Sequence, residues 1–142
     1  MPKEIERKFL VDKTLWQQLE KPQGTYLRQG YLSTDPARTV RVRIAGERAY
    51  LTIKGKTTGI SRSEWEYPIP LADARALLDE LIPASIEKRR YVIEFEGRHW
   101  EVDAFEGANQ GLLVAELELQ SEEEAFALPP GWTGRYQRMP AM

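Results

Sequence analysis

The chain has 142 residues, 42% of them hydrophobic, with 20 Lys and Arg against 22 Asp and Glu, one His and no Cys. This length predicts a single domain over residues 1–142, and a net charge of −2 carries no basic excess of the kind that nucleic-acid or anionic-membrane binding leaves in composition. The missing cysteines exclude a disulfide framework, a thiolate zinc site and a cysteine nucleophile; with no secretory-type or membrane-spanning apolar stretch, the expected location is the cytoplasm.

Most of the chain alternates polar and apolar residues with the period of a strand. The predicted strands cover residues 5–11, 26–33, 39–44, 49–54, 61–69, 86–94, 99–105 and 112–119, a barrel-sized set. Short turn signals join them, among them Asp35-Pro36, Ala45-Gly46 and Gly97, which suits antiparallel neighbours. Helical spacing is confined to three stretches: 12–20, with Leu15 and Leu19 on one face beside Trp16; 71–81, with Leu77, Leu78 and Leu81; and a third opening at Ser121. There the run Ser121-Glu122-Glu123-Glu124 has the form of a capping box, and Pro129-Pro130 ends the segment. Residues 131–142 are compatible with a tail or with a return to the barrel.

Charge is unusually dense, 30% Asp, Glu, Lys and Arg where about 25% is ordinary. Its placement is periodic. Glu4, Glu6 and Lys8 share one face of their strand, as do Arg41 and Arg43, Thr52 and Lys54, Arg62, Glu64 and Glu66, Lys88 and Arg90, Glu101 and Asp103, and Glu116 and Glu118. A solvated outer face explains any one strand. It does not explain blocks of like sign on so many of them. The class expected is therefore α+β and β-dominated: a closed eight-stranded antiparallel barrel, or tunnel, with a charged lumen and a few helices packed outside. Lysines and arginines in such a lumen neutralise phosphate oxygens, while clustered carboxylates offer the oxygen ligands that a hard divalent cation prefers.

The same residues resemble a known pattern. Glu4-Ile5-Glu6-Arg7-Lys8 is similar to the N-terminal ExExK motif of the CYTH superfamily, the triphosphate tunnel metalloenzymes. Further blocks follow in that family's order: Leu27 to Leu32, Val40 to Arg43, Leu51 to Gly55, Ser61 to Glu66, Glu87 to Tyr91, Glu101 to Asp103, Glu116 to Glu118, and Arg135-Tyr136. The resemblance implies Mg²⁺ or Mn²⁺ as cofactor, with metal ligands among Glu4, Glu6, Asp103, Glu116 and Glu118. It implies phosphate contacts from Lys8, Arg41, Arg43, Lys54, Arg62, Lys88, Arg90 and Arg135, with Glu6, Lys88 and Glu118 closest to the chemistry. Tyr31, which shares parity with Gln29, is a candidate to position substrate or water.

The expected activity is metal-dependent hydrolysis of inorganic triphosphate to diphosphate and phosphate, as in the short bacterial inorganic triphosphatase branch. Its rivals are a class IV type adenylyl cyclase, a thiamine-triphosphatase, and a polyphosphate- or nucleotide-binding module without turnover. The partner expected is a small polyanion, with no nucleic acid or membrane, on a monomer or homodimer. His99 is the only histidine, so a histidine-based triad is excluded and a surface place in its turn is expected. Trp16, Trp65, Trp100 and Trp132 are expected to pack against the outer wall.

Overall fold

A computed structural model of the chain describes residues 3–135. Nine strands are seen among them: β1 (Lys3–Val11), β2 (Thr25–Ser33), β3 (Arg38–Ala45), β4 (Arg48–Gly55), β5 (Ser61–Ile69), β6 (Ile86–Phe95), β7 (Arg98–Phe105), β8 (Leu113–Glu118) and β9 (Trp132–Arg135). Two α-helices accompany them, α1 (Lys13–Gln18) and α2 (Leu71–Glu80).

All strand pairings are antiparallel, and β1 closes the sheet on itself. One edge of β1 pairs residues Glu6 to Leu10 with β8. The other edge is divided: Lys3 to Ile5 pair with β5, and Phe9 to Val11 pair with β9. The result is a closed eight-stranded antiparallel barrel in the order β1, β5, β4, β3, β2, β6, β7, β8, with β9 laid on the free stretch of β1. Residues 132–135 thus return to the barrel.

Because the polar parity of each strand faces inward, the principal cores lie outside the barrel wall. The larger one gathers Phe9, Trp16, Trp100, Val102, Leu117 and Trp132. Trp100 is fully buried at its centre, with its ring edge-on to Phe9, Phe126 and Trp132. The second core seats α2 on β3 and β4 through Val42, Ala49, Ala74, Leu78 and Ile82. Gly30 on β2 belongs to the same contact: a Cβ there would stand 2.5 Å from Ile82 Cγ2. A third, smaller cluster of Ile86, Phe105 and Val114 carries the inward parity of Lys88, Asp103 and Glu116, and so packs on the inner side of β6, β7 and β8 next to those charges.

Three local expectations are corrected. Helix α1 spans only 13–18; Asp12 caps it by accepting from Leu15 N at 2.9 Å, and Leu19 is already extended. The Leu15 and Leu19 face is therefore not formed, and Trp16 is the residue that buries, edge-on to Tyr91. In α2 the buried stripe is Ala74 and Leu78, continued by Ile82, whereas Leu81 follows the helix end and is 63% exposed. No third helix forms at Ser121. The Glu124 carboxylate does reach back, accepting from Gln120 N at 2.5 Å and from the Ser121 backbone, and it also pairs with Arg98, but the chain goes no further than a turn and Phe126 drops onto Phe9 and Trp100. Four residues between Glu124 and Pro129 are too few to offset helix nucleation.

The α2 correction sets one expectation for stability. Leu78→Ala should cost about 2–5 kcal/mol, as for a large-to-small change in a packed core, and Leu81→Ala less than about 0.5 kcal/mol. Urea melts of the two variants, compared at equal m-value, check it.

Candidate active site in the barrel lumen

The inward residues enclose a cavity of about 1380 Å³. Its lining includes Glu4, Glu6, Lys8, Tyr31, Arg41, Arg43, Lys54, Arg62, Lys88, Arg90, Glu116 and Glu118, so strand parity brings these expected site residues into one chamber. Asp103 is 1% exposed and lies behind the lining, beneath Lys88 and Arg90. The backbone of Arg135 pairs with Phe9, while its side chain, like Tyr136, falls outside the described residues. His99 stands at the rim, largely exposed, with Nδ1 3.5 Å from Glu94.

The order of strands around the barrel sorts the charges. β5, β1, β8 and β7 are consecutive and carry the carboxylates; β4, β3, β2 and β6 are consecutive and carry most of the cations. Ion pairs form at the two seams where these walls meet. At the β4 and β5 seam, Lys54 Nζ lies 3.7 Å from Glu64 and reaches across to Glu4 at 2.9 Å. At the β6 and β7 seam, Arg90 grips both oxygens of Asp103, Nε at 2.7 Å and Nη2 at 2.9 Å. Lys88 Nζ stands 2.7 Å from the same carboxylate. Burial opposes the Asp103 charge, but the Arg90 hydrogen bonds and the Lys88 ammonium overcome it and hold the carboxyl well below the usual range.

Away from the seams, like charges face one another. On the acidic wall, Glu6 is directly opposite Glu118 and Lys8 opposite Glu116, which is itself opposite Glu101. Burial, with Glu116 and Glu4 nearby, pushes the Glu6 carboxyl up to about 9, and it shares a hydrogen bond with Glu116. Glu118 is raised by burial and by Glu4, Glu64 and Glu101. Lys8 relieves part of this crowding from 3.3 Å; burial works against its charge, but Glu116 and Glu6 hold it above the ordinary lysine value. On the basic wall, burial and the guanidinium groups of Arg41 and Arg90 bring Arg43 down to about 9. Lys88 is lowered to about 8, chiefly by burial, with Asp103 opposing the shift and Arg90 and Arg43 reinforcing it. The basic wall also keeps donors in reserve, since Arg41 Nε is buried without a hydrogen-bond partner among the described residues.

Among the described residues no three carboxylates are drawn together at metal-ligand distance, because several of their oxygens are engaged by cations. The donor set nonetheless fits a hard divalent cation. Glu6, Glu116 and Glu118 offer crowded carboxylate oxygens, of which Glu6 and Glu118 hold their protons above the ordinary carboxylate range, and a dication would answer the same electrostatic demand. Asp103 fits less well, with both oxygens committed to Arg90 and Lys88.

Residues that motif reading passed over also shape the chamber. Gln29, 2% exposed, accepts from Arg43 Nε at 2.8 Å, and Thr52 donates to Glu66 at 2.9 Å while lying 3.4 Å from Arg41 Nη2. Both have the inward parity of charged residues on their own or adjoining strands, which was the available signal.

Two stability tests follow. Asp103→Asn leaves two buried cations without their counter-charge and should cost about 3–5 kcal/mol, read by chemical denaturation. Glu6 holds its proton to higher pH folded than unfolded, so its stabilising contribution is present in acid and is lost as the pH rises from about 4.5 towards about 9. Metal-free thermal melts should therefore fall across that window, with a shallower slope in Glu6→Gln.

Comparison with known proteins agrees with this arrangement. The CYTH domain model matches residues 2–133. An inorganic triphosphatase of Acetivibrio thermocellus is 48% identical over 136 residues, covering 95% of this chain and 85% of that protein. One of Nitrosomonas europaea is 36% identical over 135 residues, with 92% and 86% covered. The crystal structure of an inorganic triphosphatase superposes with a TM-score of 0.65 at 30% identity, covering 96% of this chain and 88% of that one.

Proposed function

The chain belongs to the CYTH domain family, and on that premise we propose that its lumen is the active site of an inorganic triphosphatase, cleaving triphosphate to diphosphate and phosphate. The observation that carries the reading is a buried basic wall facing a crowded acidic wall across one chamber. A triphosphate supplies the dense negative charge that the first requires. A divalent cation, Mg²⁺ or Mn²⁺, answers the second.

Glu6, Glu116 and Glu118 would hold the metal, with Glu4 beside them. When bound, the metal supplies charge neutralisation and a more acidic water. Arg41 and Arg43 lie against the phosphate chain and offer hydrogen bonds to its non-bridging oxygens, including the unspent Arg41 Nε. Lys88 and Arg90, held by Asp103, face the charge that develops on the leaving diphosphate, and Lys88 can give up a proton near neutrality. No side-chain nucleophile is needed, because positioning and electrostatic stabilisation are what phosphoryl transfer asks of a protein. Lys8, Lys54 and Arg62 complete the cationic lining, and Tyr31 stands beside Arg41 on the neighbouring strand.

Among the described residues no helix is long and apolar enough to cross a membrane. The reading places the enzyme in the cytoplasm as one domain. Every group it uses comes from one chain, so it serves a monomer or a homodimer alike, without nucleic acid or membrane.

The decisive assay measures phosphate and cyclic AMP release from triphosphate, ATP and thiamine triphosphate with Mg²⁺ or Mn²⁺. Triphosphate should be hydrolysed fastest, and chelation should abolish turnover; cyclic AMP formation exceeding triphosphate hydrolysis would overturn the reading. Arg41→Ala and Arg43→Ala should each lower kcat/KM by about 10- to 1000-fold, and Glu6→Gln and Glu118→Gln should abolish turnover without unfolding the chain. In the wild type, kcat/KM should decline above about pH 8 as free Lys88 loses its proton. The kcat profile should hold to higher pH, since bound triphosphate stabilises the ammonium.

A further inference from the structure

We propose that Gln29 binds the phosphate chain directly: its side-chain amide, fixed in orientation by Arg43, turns its N–H donors into the lumen as a neutral ligand among the cations. This rests on the triphosphatase reading and adds to it a residue that both contacts the substrate and aims a neighbouring arginine.

Gln29 sits on β2 directly opposite Arg43 of β3, and Ile86 of β6 stands opposite it on the other side. It lines the cavity, yet it is almost wholly buried. An amide at such depth is costly unless its polar atoms find partners. Arg43 Nε stands 2.8 Å from Gln29 Oε1, and because a guanidinium only donates, the atom facing it has to be the amide oxygen. The orientation of the amide follows, with Nε2 and its two N–H groups on the other branch. The Ile86 side chain has no acceptor to offer, and among the described residues none accepts from Nε2. Unlike Arg41 Nε, this nitrogen is not closed off from solvent, so its donors open on the chamber.

The same bond sets what Arg43 can present. With Nε committed to Gln29, the guanidinium keeps its Nη groups for phosphate oxygens, and the plane in which they lie is fixed. Charge explains why an amide suits this position. Burial and the mutual repulsion of Arg41, Arg43, Lys88 and Arg90 already lower the proton affinity of Arg43 and Lys88. A further cation would add to that repulsion, and a carboxylate would repel the substrate. The amide supplies donors without charge.

The test is a set of calorimetric titrations of tripolyphosphate in metal-free buffer with the wild type, Gln29→Met, Arg43→Met and the double variant, alongside thermal melts of each chain without ligand. Methionine has a similar volume to glutamine and neither of its hydrogen-bonding atoms. Gln29→Met should weaken binding about 10- to 100-fold, as for loss of a hydrogen bond to a charged acceptor. In the Arg43→Met background the same change should still cost at least about threefold, the share that belongs to direct contact. A Gln29→Met chain that melts lower but binds as tightly as wild type would make the residue structural and overturn the proposal. So would the absence of any effect in the Arg43→Met background, which would leave Gln29 as a clamp on Arg43 alone, or failure of the wild type to bind tripolyphosphate. If the methionine variant does not fold, Gln29→Glu decides: it keeps an acceptor for Arg43 Nε but has no donor and adds a negative charge, so it should bind at least about tenfold more weakly, and wild-type affinity there would also overturn the assignment. A separate rate assay of the wild type with Mg²⁺ or Mn²⁺ isolates the underlying reading: no hydrolysis there removes the triphosphatase, while the titrations still decide whether Gln29 is a phosphate ligand.

Discussion

Two strand pairings, β1 with β5 and β2 with β6, decide where the lumenal charge of this chain is placed. The first closes the sheet and turns one parity of every strand into an interior. The second inserts β6 beside β2, placing Lys88 and Arg90 next to the strands that carry Arg41, Arg43 and Lys54. Along the sequence, acidic and basic blocks are interleaved. Around the barrel they become two walls with two seams. At the seams opposite charges touch and form ion pairs; within each wall like charges accumulate and shift one another's proton affinities. The unusual ionisation of Glu6, Arg43 and Lys88 and the low affinity of Asp103 for protons are thus aspects of one topology.

A charged interior of this kind does not hold a barrel together, because burying ions costs more than most pairs return. Here the aromatic cluster around Trp100 and the seat of α2 on Val42 and Leu78 supply apolar burial from the outside of the wall. The fold separates the two tasks by side of the sheet. Outward residues provide cohesion, and inward residues are left with unsatisfied electrostatics that a polyanion and a metal can resolve.

Much of this was legible in the sequence because strand parity is a strict period of two. Glu4, Glu6 and Lys8 cannot face inward unless Ile5, Arg7 and Phe9 face out, and that alternation specified the lumen before any partner strand was known. What parity could not supply was register. That Asp103 would be taken by Arg90 and Lys88 rather than left open to a metal depends on Arg90 lying directly opposite it across β6 and β7. Short helices were less legible for a different reason. A six-residue helix has no stable face of its own, so in α1 the packing of Trp16 outweighed the spacing of Leu15 and Leu19. Around Ser121 the Glu124 side chain reaches back to the backbone as a capping box does while also pairing with Arg98, but the few residues before Pro129 allow only a turn to follow. Phe105 was readable in retrospect, as an aromatic residue on the charged parity of its strand.

The glycine on β2 links the two sides of the wall. Gly30 lets Ile82 approach the outer face so closely that a methyl group would collide with it, and its immediate neighbours in the chain, Gln29 and Tyr31, project into the lumen beside Arg43 and Arg41. Any side chain at this position would have to push either the α2 connection outward or the strand inward. In the second case the displacement is carried through Gln29 to its side-chain Oε1, which orients the Arg43 guanidinium. The anchoring of an exterior helix and the aim of an interior arginine are therefore mechanically geared through one residue that touches neither substrate nor metal.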